Sequence, residues 1–351
     1  MHKPRLAAEV FELPIEAIRD GHYTDAYFNH ARSTLLADAR HPRVLMQVFQ
    51  KRDAVLGGID EALAILELCS YGREELEIRA LYDGDPIQPW ETVLTIEGDY
   101  TLFAHLETVY LGVLARRTLV STNVRRVVEA ARGKQILYFP ARHDHHLVQA
   151  GDGYAAHVGG AIGVSTDAQA SWWGGSGIGT VPHGLIAAYG GDTVQAATKF
   201  EAWAPSDVDI VVLVDSENDS VRTSLEVARA LGARLWGVRL DTSESLVDRS
   251  LWEELGDFDP RGVNEQLVRN VRDALDAGGF DNVKIVVSGG FTVTTIREFE
   301  EREVPVDAYG VGSSLLRGQN DFTADVVQTD GTPSAKAGRR LRPNPRLELV
   351  T

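Results

Sequence analysis

The stretch DIVVLVDSENDSVRTSLEVARALGARLWGVRLD, Asp209 to Asp241, decides the fold class. Its first seven residues form a nearly continuous apolar run, as expected of a strand buried on both faces. SVRTSLEVARALG (220–232) then has the apolar spacing of a helix and closes on a glycine. RLWGVRLD (234–241) reads as a second strand. The rhythm continues through VNEQLVRNVRDALDAGG (263–279), VKIVVSGG (283–290), TVTTIREFEERE (292–303) and VDAYGVGS (306–313). Upstream, KQILYF (134–139) reads as a strand, and DGYAAHVGGA (152–161) and DTVQAATKFEAWA (192–204) as helices. Strand followed by helix, repeated, implies a parallel sheet, either a barrel or an open doubly wound sheet.

Polar residues and glycines gather at the same end of every late strand. Asp215 with SEND, Arg239 with Asp241, Ser288-Gly289-Gly290, and Gly310-Val311-Gly312-Ser313 follow in series. In βα barrels that end carries the active site. Polar loops alone would explain one such end; four in succession favour a site. The loops after the last two strands of such a barrel often cradle a phosphate on backbone N–H groups, which glycine permits. Ser288, Ser313 and Thr292 would add hydroxyl donors there. Asp215, Asp219 and Asp241 could approach a hydrated Mg²⁺ or a ribose hydroxyl, since Mg²⁺ takes one or two carboxylates plus substrate phosphates. Asp219 before Ser220 fits a helix cap equally well.

Two further stretches carry chemistry. Arg142 ends YFPAR and precedes HDHH; a strand-end arginine can clamp a carboxylate. GSGIGTVPHGLI (175–186) crowds glycines ahead of Thr180, Pro182 and His183. His183 could be a core histidine, a metal ligand, or a nucleophile or acid/base group, and the constrained approach favours an active role.

Composition sets the outer bounds. The chain has 351 residues, 44% hydrophobic and 25% charged, with a net charge of −16. Such a surface argues against nonspecific binding to nucleic acid or anionic membrane. The single cysteine, Cys69, leaves no intramolecular disulfide and no cysteine-based zinc module, and fits a cytoplasmic setting. No apolar run approaches the ~20 residues that span a bilayer, and the first residues lack the apolar core of a signal peptide. The expected organisation is an N-terminal α+β domain over 1–115, a βα barrel-like catalytic domain over 116–320, and a tail over 321–351 that packs back on the N-terminal domain. Within the first, HPRVLMQVFQKRD (41–53) reads as a strand and GIDEALAILELC (58–69) as a helix. In the tail, FTADVVQTDGTPSAK (322–336) reads as a hairpin around Asp330-Gly331.

Taken in order, these residues resemble the nicotinate phosphoribosyltransferase family in its shorter archaeal and bacterial form. TDAYF (24–28), HLETVYLGVLARRTLVSTNVRR (105–126), GTVPHG (179–184), GVRLD (237–241) and SGGFT with DAYGVGSS (288–314) carry the resemblance, from about Thr24 to Arg346. It implies an irregular or incomplete βα barrel of the type II phosphoribosyltransferase kind. It also implies transfer of phosphoribosyl from phosphoribosyl pyrophosphate to nicotinate, with Mg²⁺ and coupled ATP hydrolysis through a phosphohistidine, in NAD salvage. By position, Tyr27 would stack on the pyridine ring and Arg142 would pair with its carboxylate. Asp215, Arg239 and Asp241 would face ribose and Mg-pyrophosphate, with Thr180 beside the substrate. Ser288, Gly289, Gly290, Gly310, Gly312 and Ser313 would take the 5′-phosphate, and His183 would be the phosphoacceptor. A homodimer or higher homo-oligomer is implied. The chain departs from longer members at Asp241-Thr242-Ser243-Glu244, where they carry Asp-Ser-Gly-Asp, and at Pro182, where they carry a small residue. The rival readings are a quinolinate or nicotinamide phosphoribosyltransferase, a sugar-phosphate barrel enzyme of another class, and a nucleotide-binding protein without turnover. Quinolinate enzymes would need more basic residues for a second carboxylate and would use no ATP. A Schiff-base lyase would need a lysine at the strand ends, whereas Lys284 opens its strand.

Overall fold

The computed structural model describes residues 4–350 except 206, 207, 255 and 257. The chain forms two compact units, one from residues up to Asn123 with Tyr154–Gly159 and Gly318–Thr351, the other from Val124–Gly153 with Gly160–Arg317. The division falls within the helix Glu107–Ala130, which runs unbroken past residues 115 and 116.

The first unit is built on a six-stranded antiparallel sheet. Its order is Thr332–Pro333, Thr323–Thr329, Arg43–Phe49, Thr92–Asp99, Glu77–Ala80, Glu348–Leu349. The central Arg43–Phe49 strand sets Met46 opposite both Ile96 and Val326. The helix Ile59–Cys69 is buried along nearly its whole length in this core. Two strands of the tail, Thr323–Thr329 and Thr332–Pro333, meet in the hairpin at Asp330-Gly331, where both residues take the positive φ that such a turn needs.

The second unit carries the strand–helix repeat. Six parallel strands lie in the order Gly163–Val164, Gln135–Tyr138, Ala308–Val311, Lys284–Val287, Leu235–Leu240, Ile210–Leu213. The order follows the chain around a curled sheet, with one break between Gly163–Val164 and Ile210–Leu213. The extended segment Ile178–Val181 spans that break. Ile178 N–H donates to Val164 C=O at 2.7 Å on one side, and Val181 N–H to Val211 C=O at 2.8 Å on the other. Val181 also bridges Val212 in parallel. The sheet is therefore an incomplete barrel, closed at one place by a single passing segment.

Local chemistry explains why the flanking helices start where they do. Asp192, Asn264 and Thr292 accept a backbone N–H of the first turn at 2.8, 3.0 and 3.3 Å, and Asp219 caps the helix Ser220–Leu231. Such caps contribute about 1 kcal/mol each. The helix Glu265–Ala277 then buries Leu267, Val268, Val271 and Leu275 as one stripe. Inside the sheet, Leu137, Val211, Val286 and Ala308 pack with Phe139, Ile178 and Trp236.

Candidate functional site

At the C-terminal ends of the second unit's strands lies a cleft of about 630 Å³. The approach to His183 begins with the closing segment. Gly177 passes so near Thr166 that a Cβ would lie 2.8 Å from its carbonyl carbon, and Gly177 N–H donates to Asp167 Oδ1 at 2.8 Å. The chain then reaches Val181, turns at Pro182, and opens the short helix His183–Ala188. Pro182 has extended backbone, and its carbonyl accepts from Leu185 N–H at 2.9 Å. Proline suits this position because a residue at the start of a helix donates no intrahelical N–H, while its carbonyl stays available. His183 is thereby fixed at the mouth of the cleft, half-exposed.

His183 Nε2 lies 3.0 Å from Asp215 Oδ1. An ionised carboxylate only accepts, so this contact favours the form with the hydrogen on Nε2, which in a neutral ring would leave the lone pair on Nδ1. Asp215 follows the Ile210–Leu213 strand, and its side chain is only 8% exposed. Burial raises its pKa above the ordinary carboxylate value, with Asp241 adding to the rise and His183 opposing it. Asp215 is bonded to His183, which lines the cleft, and is not itself among the lining residues.

A second network joins the next two strands. Arg239 Nε donates to Ser288 Oγ at 2.8 Å, and the Ser288 hydroxyl donates to Asp241 Oδ1 at 2.6 Å. The Arg239 guanidinium also stands 3.5 Å from Asp241 Oδ2 and 5.0 Å from the Phe139 ring centre. Ser288 is 2% exposed yet lines the cleft, and here its hydroxyl bridges a cation and an anion. Thr292 is similarly engaged as a helix cap. Of the expected hydroxyl donors, Ser288 and Thr292 are engaged within the protein, while Ser313 lines the cleft beside the two glycine runs.

Those runs need glycine. Gly289 and Gly290 have φ of 90° and 87°, where side chains are strained. A Cβ on Gly310 would lie 2.7 Å from the Phe139 ring. Gly310, Gly312 and Ser313 line the cleft with Gly289, Gly290 and Thr180.

Arg142 lines the same cleft from the turn Ala141–His143. It is exposed and makes no hydrogen bond or ion pair among the described residues. Tyr27 belongs to the first unit, on the helix Ala26–Ala37, exposed and packed on Phe28 at 4.4 Å between ring centres. Asp219 serves as a cap and an ion-pair partner of Arg222 at 3.1 Å, which favours the structural side of its two readings. Phe139, His143, Ile178 and Arg317 also line the cleft. The strand-end rule that found Asp215 would have found Phe139; Arg317 carries no sequence signal.

The comparisons place the chain among phosphoribosyltransferases. The quinolinate phosphoribosyl transferase N-terminal domain model matches residues 25–118, and the C-terminal domain model matches residues 120–319. The chain belongs to this family of phosphoribosyltransferases. It is 32% identical to nicotinate-nucleotide pyrophosphorylase from Pyrococcus furiosus, covering all of this chain and 86% of that one, with a TM-score of 0.81. It is 29% identical over 272 residues to nicotinate phosphoribosyltransferase pncB1 of Mycobacterium tuberculosis, covering 74% of this chain and 55% of that protein. The chain thus spans about half the length of the curated relatives it matches. Human nicotinic acid phosphoribosyltransferase, 17% identical over 89% of this chain and 76% of that one, shares the fold with a TM-score of 0.65. Among the described residues no helix is long and apolar enough to cross a membrane.

Proposed function

We propose that the chain transfers phosphoribosyl from phosphoribosyl pyrophosphate to nicotinate, releasing pyrophosphate, in pyridine nucleotide synthesis. The observation that carries this reading is the state of the cations in the cleft. Arg239 is engaged by Ser288 and Asp241, whereas Arg142 is unengaged among the described residues. One open guanidinium suits one carboxylate, bound by paired charge-assisted hydrogen bonds. Nicotinate has one carboxylate.

The backbone N–H groups of Gly289-Gly290 and Gly310–Ser313 would hold the 5′-phosphate. Breaking the C1–pyrophosphate bond leaves positive charge on the ribose, and Asp241, held in place by Ser288 and Arg239, would stabilise it more in the transition state than before. A magnesium ion would neutralise pyrophosphate charge. Both oxygens of Asp241 already face protein partners, so the donor set fits an ion reached through water or substrate oxygens better than one bound directly.

His183 would couple ATP. With Nε2–H held by Asp215, Nδ1 attacks the γ-phosphorus, the bond to the β,γ-bridging oxygen breaks, and ADP leaves. Asp215 stabilises the charge that develops on the ring. Tyr27, exposed on its helix, would serve as the pyridine-stacking residue in a homo-oligomer.

Quinolinate is the second reading, favoured by the family model and by Arg317 and His143 on the cleft wall. A competition assay with nicotinate, quinolinate and nicotinamide, each with and without ATP, separates the readings. Nicotinate mononucleotide formed from nicotinate and accelerated by ATP supports the first. The same product formed from quinolinate, indifferent to ATP, replaces it with the second.

A further inference from the structure

Asp248 lies outside the cleft and is fully buried, yet it accepts four hydrogen bonds. Its Oδ2 takes the N–H and hydroxyl of Ser220 at 3.0 and 2.7 Å. Its Oδ1 takes the N–H and hydroxyl of Ser250 at 3.0 and 2.8 Å. Both Asp248 and Ser220 are 0% exposed. A buried carboxylate with both oxygens saturated fixes its partners firmly, because each donor would otherwise be left without water.

Ser220 opens the helix that follows the loop Asp215–Asp219. That loop turns on Asn218, whose N–H donates to Asp215 C=O at 2.9 Å and whose φ is 54°. A non-glycine residue in this region needs support from its surroundings. The support comes from beside Asp248. Arg249 N–H donates to Asn218 C=O at 2.9 Å, and Asn218 Nδ2 donates to Val247 C=O at 2.6 Å. The segment Val247–Ser250 therefore clamps the turn that presents Asp215 to His183. It also ends the loop that begins at Asp241.

We infer that Asp248 is a positioning residue, holding the Asp215 loop in the geometry that orients His183. This rests on the role given to His183 above, but its structural part is testable without turnover. The asymmetry of the clamp supplies the control. The Oδ2 side is bonded to Ser220, the residue that follows the Asp215–Asp219 loop, whereas the Oδ1 side is bonded to Ser250, whose hydroxyl turns back on Asp248 and not to that loop.

The test compares Asp248→Asn, Ser220→Ala and Ser250→Ala in the full chain, using ¹⁵N-histidine labelling with the His183 signals assigned by His183→Gln. Asp248→Asn should move the His183 ring resonances towards those of Asp215→Asn. It should lower kcat in the presence of ATP at least tenfold, while KM for phosphoribosyl pyrophosphate changes less than threefold. Ser220→Ala should do the same more weakly, and serves alone if Asp248→Asn does not fold. Ser250→Ala should lower the melting temperature and leave the His183 resonances in place. Equal loss of melting temperature in all folded variants, with His183 unmoved, overturns the inference. If wild-type protein converts none of the three bases, the enzymatic reading fails, and the resonance shifts still decide the role of Asp248.

Discussion

The two ends of the parallel sheet in the second unit carry similar ionic groups and use them differently. At the N-terminal end, Lys134 pairs with Glu300 at 2.9 Å and also donates to Val304 C=O at 2.9 Å. Glu300 is 7% exposed and also accepts the Tyr309 hydroxyl. Lys284 pairs with Asp307, which caps the Ile285 N–H at 2.8 Å. At the C-terminal end, among the described residues, Arg142 is unengaged, His183 uses one ring nitrogen on Asp215 with no partner shown for the other, and two glycine runs line the cleft. What distinguishes the ends is not the number of charges but the number left without a partner. Satisfied groups hold a fold; unsatisfied groups at a cleft are available to a ligand.

The comparison can be broken most directly at Arg142. Arg142→Ala should raise KM for nicotinate roughly 100-fold, about 2.7 kcal/mol, because it removes the open charge partner without disturbing any ion pair. Steady-state kinetics beside a thermal melt would show it; a drop in melting temperature with normal KM would place Arg142 among the structural charges. At the other end, Glu300→Ala should cost about 2 to 3 kcal/mol of stability and leave kcat/KM of the folded fraction unchanged, since Lys134 and Tyr309 would lose their partner. Urea unfolding measures this, and an activity loss without a stability loss would contradict it.

Gly310→Ala sharpens the contrast by geometry alone. Its Cβ would meet the Phe139 ring at 2.7 Å and Ser288 Cβ at 3.3 Å. The ring must move, and KM for the base should rise about tenfold, on the order of 1.4 kcal/mol. An unchanged KM would show that the position of the Phe139 ring does not bear on binding of the base.

The smallest effect concerns Asp215. Its pKa is raised by burial more than His183 lowers it. In acid, both folded and unfolded chains carry the neutral carboxyl, and nothing is lost. As pH rises through the raised folded value, the buried charge costs stability. Asp215→Asn should therefore match wild type near pH 3 and exceed it at pH 8 by on the order of 1 kcal/mol, while losing ATP stimulation. Melts across that range check the sign; a variant less stable at pH 8 than at pH 3 relative to wild type would reverse it.

Much of the architecture was legible because strands and helices are written in local periodicity. The apolar run Ile210–Leu213 and the stripe Leu267, Val268, Val271 and Leu275 announce themselves within a dozen residues. The strand-end rule found Asp241, Arg239 and both glycine runs for the same reason. It could not tell that Ser288 is turned to Asp241, 47 residues away in the chain, or that Asp215 sits behind His183, 32 residues away. The helix Ala26–Ala37 has no buried residue, so its apolar positions carry no periodicity that would mark it.

By itself, then, the sequence determined most strands and helices of the second unit, that its sheet is parallel, and which residue types collect at one end of that sheet. Only the tertiary structure decided which of those groups are already engaged. It also revealed that the glycine-rich approach to His183 is the segment bridging the gap in the barrel, and that Asp248 clamps the loop beneath it. Periodicity is a property of neighbours along the chain, whereas a hydrogen bond consumes a donor on one segment and an acceptor on another, and that pairing exists only once the strands lie side by side.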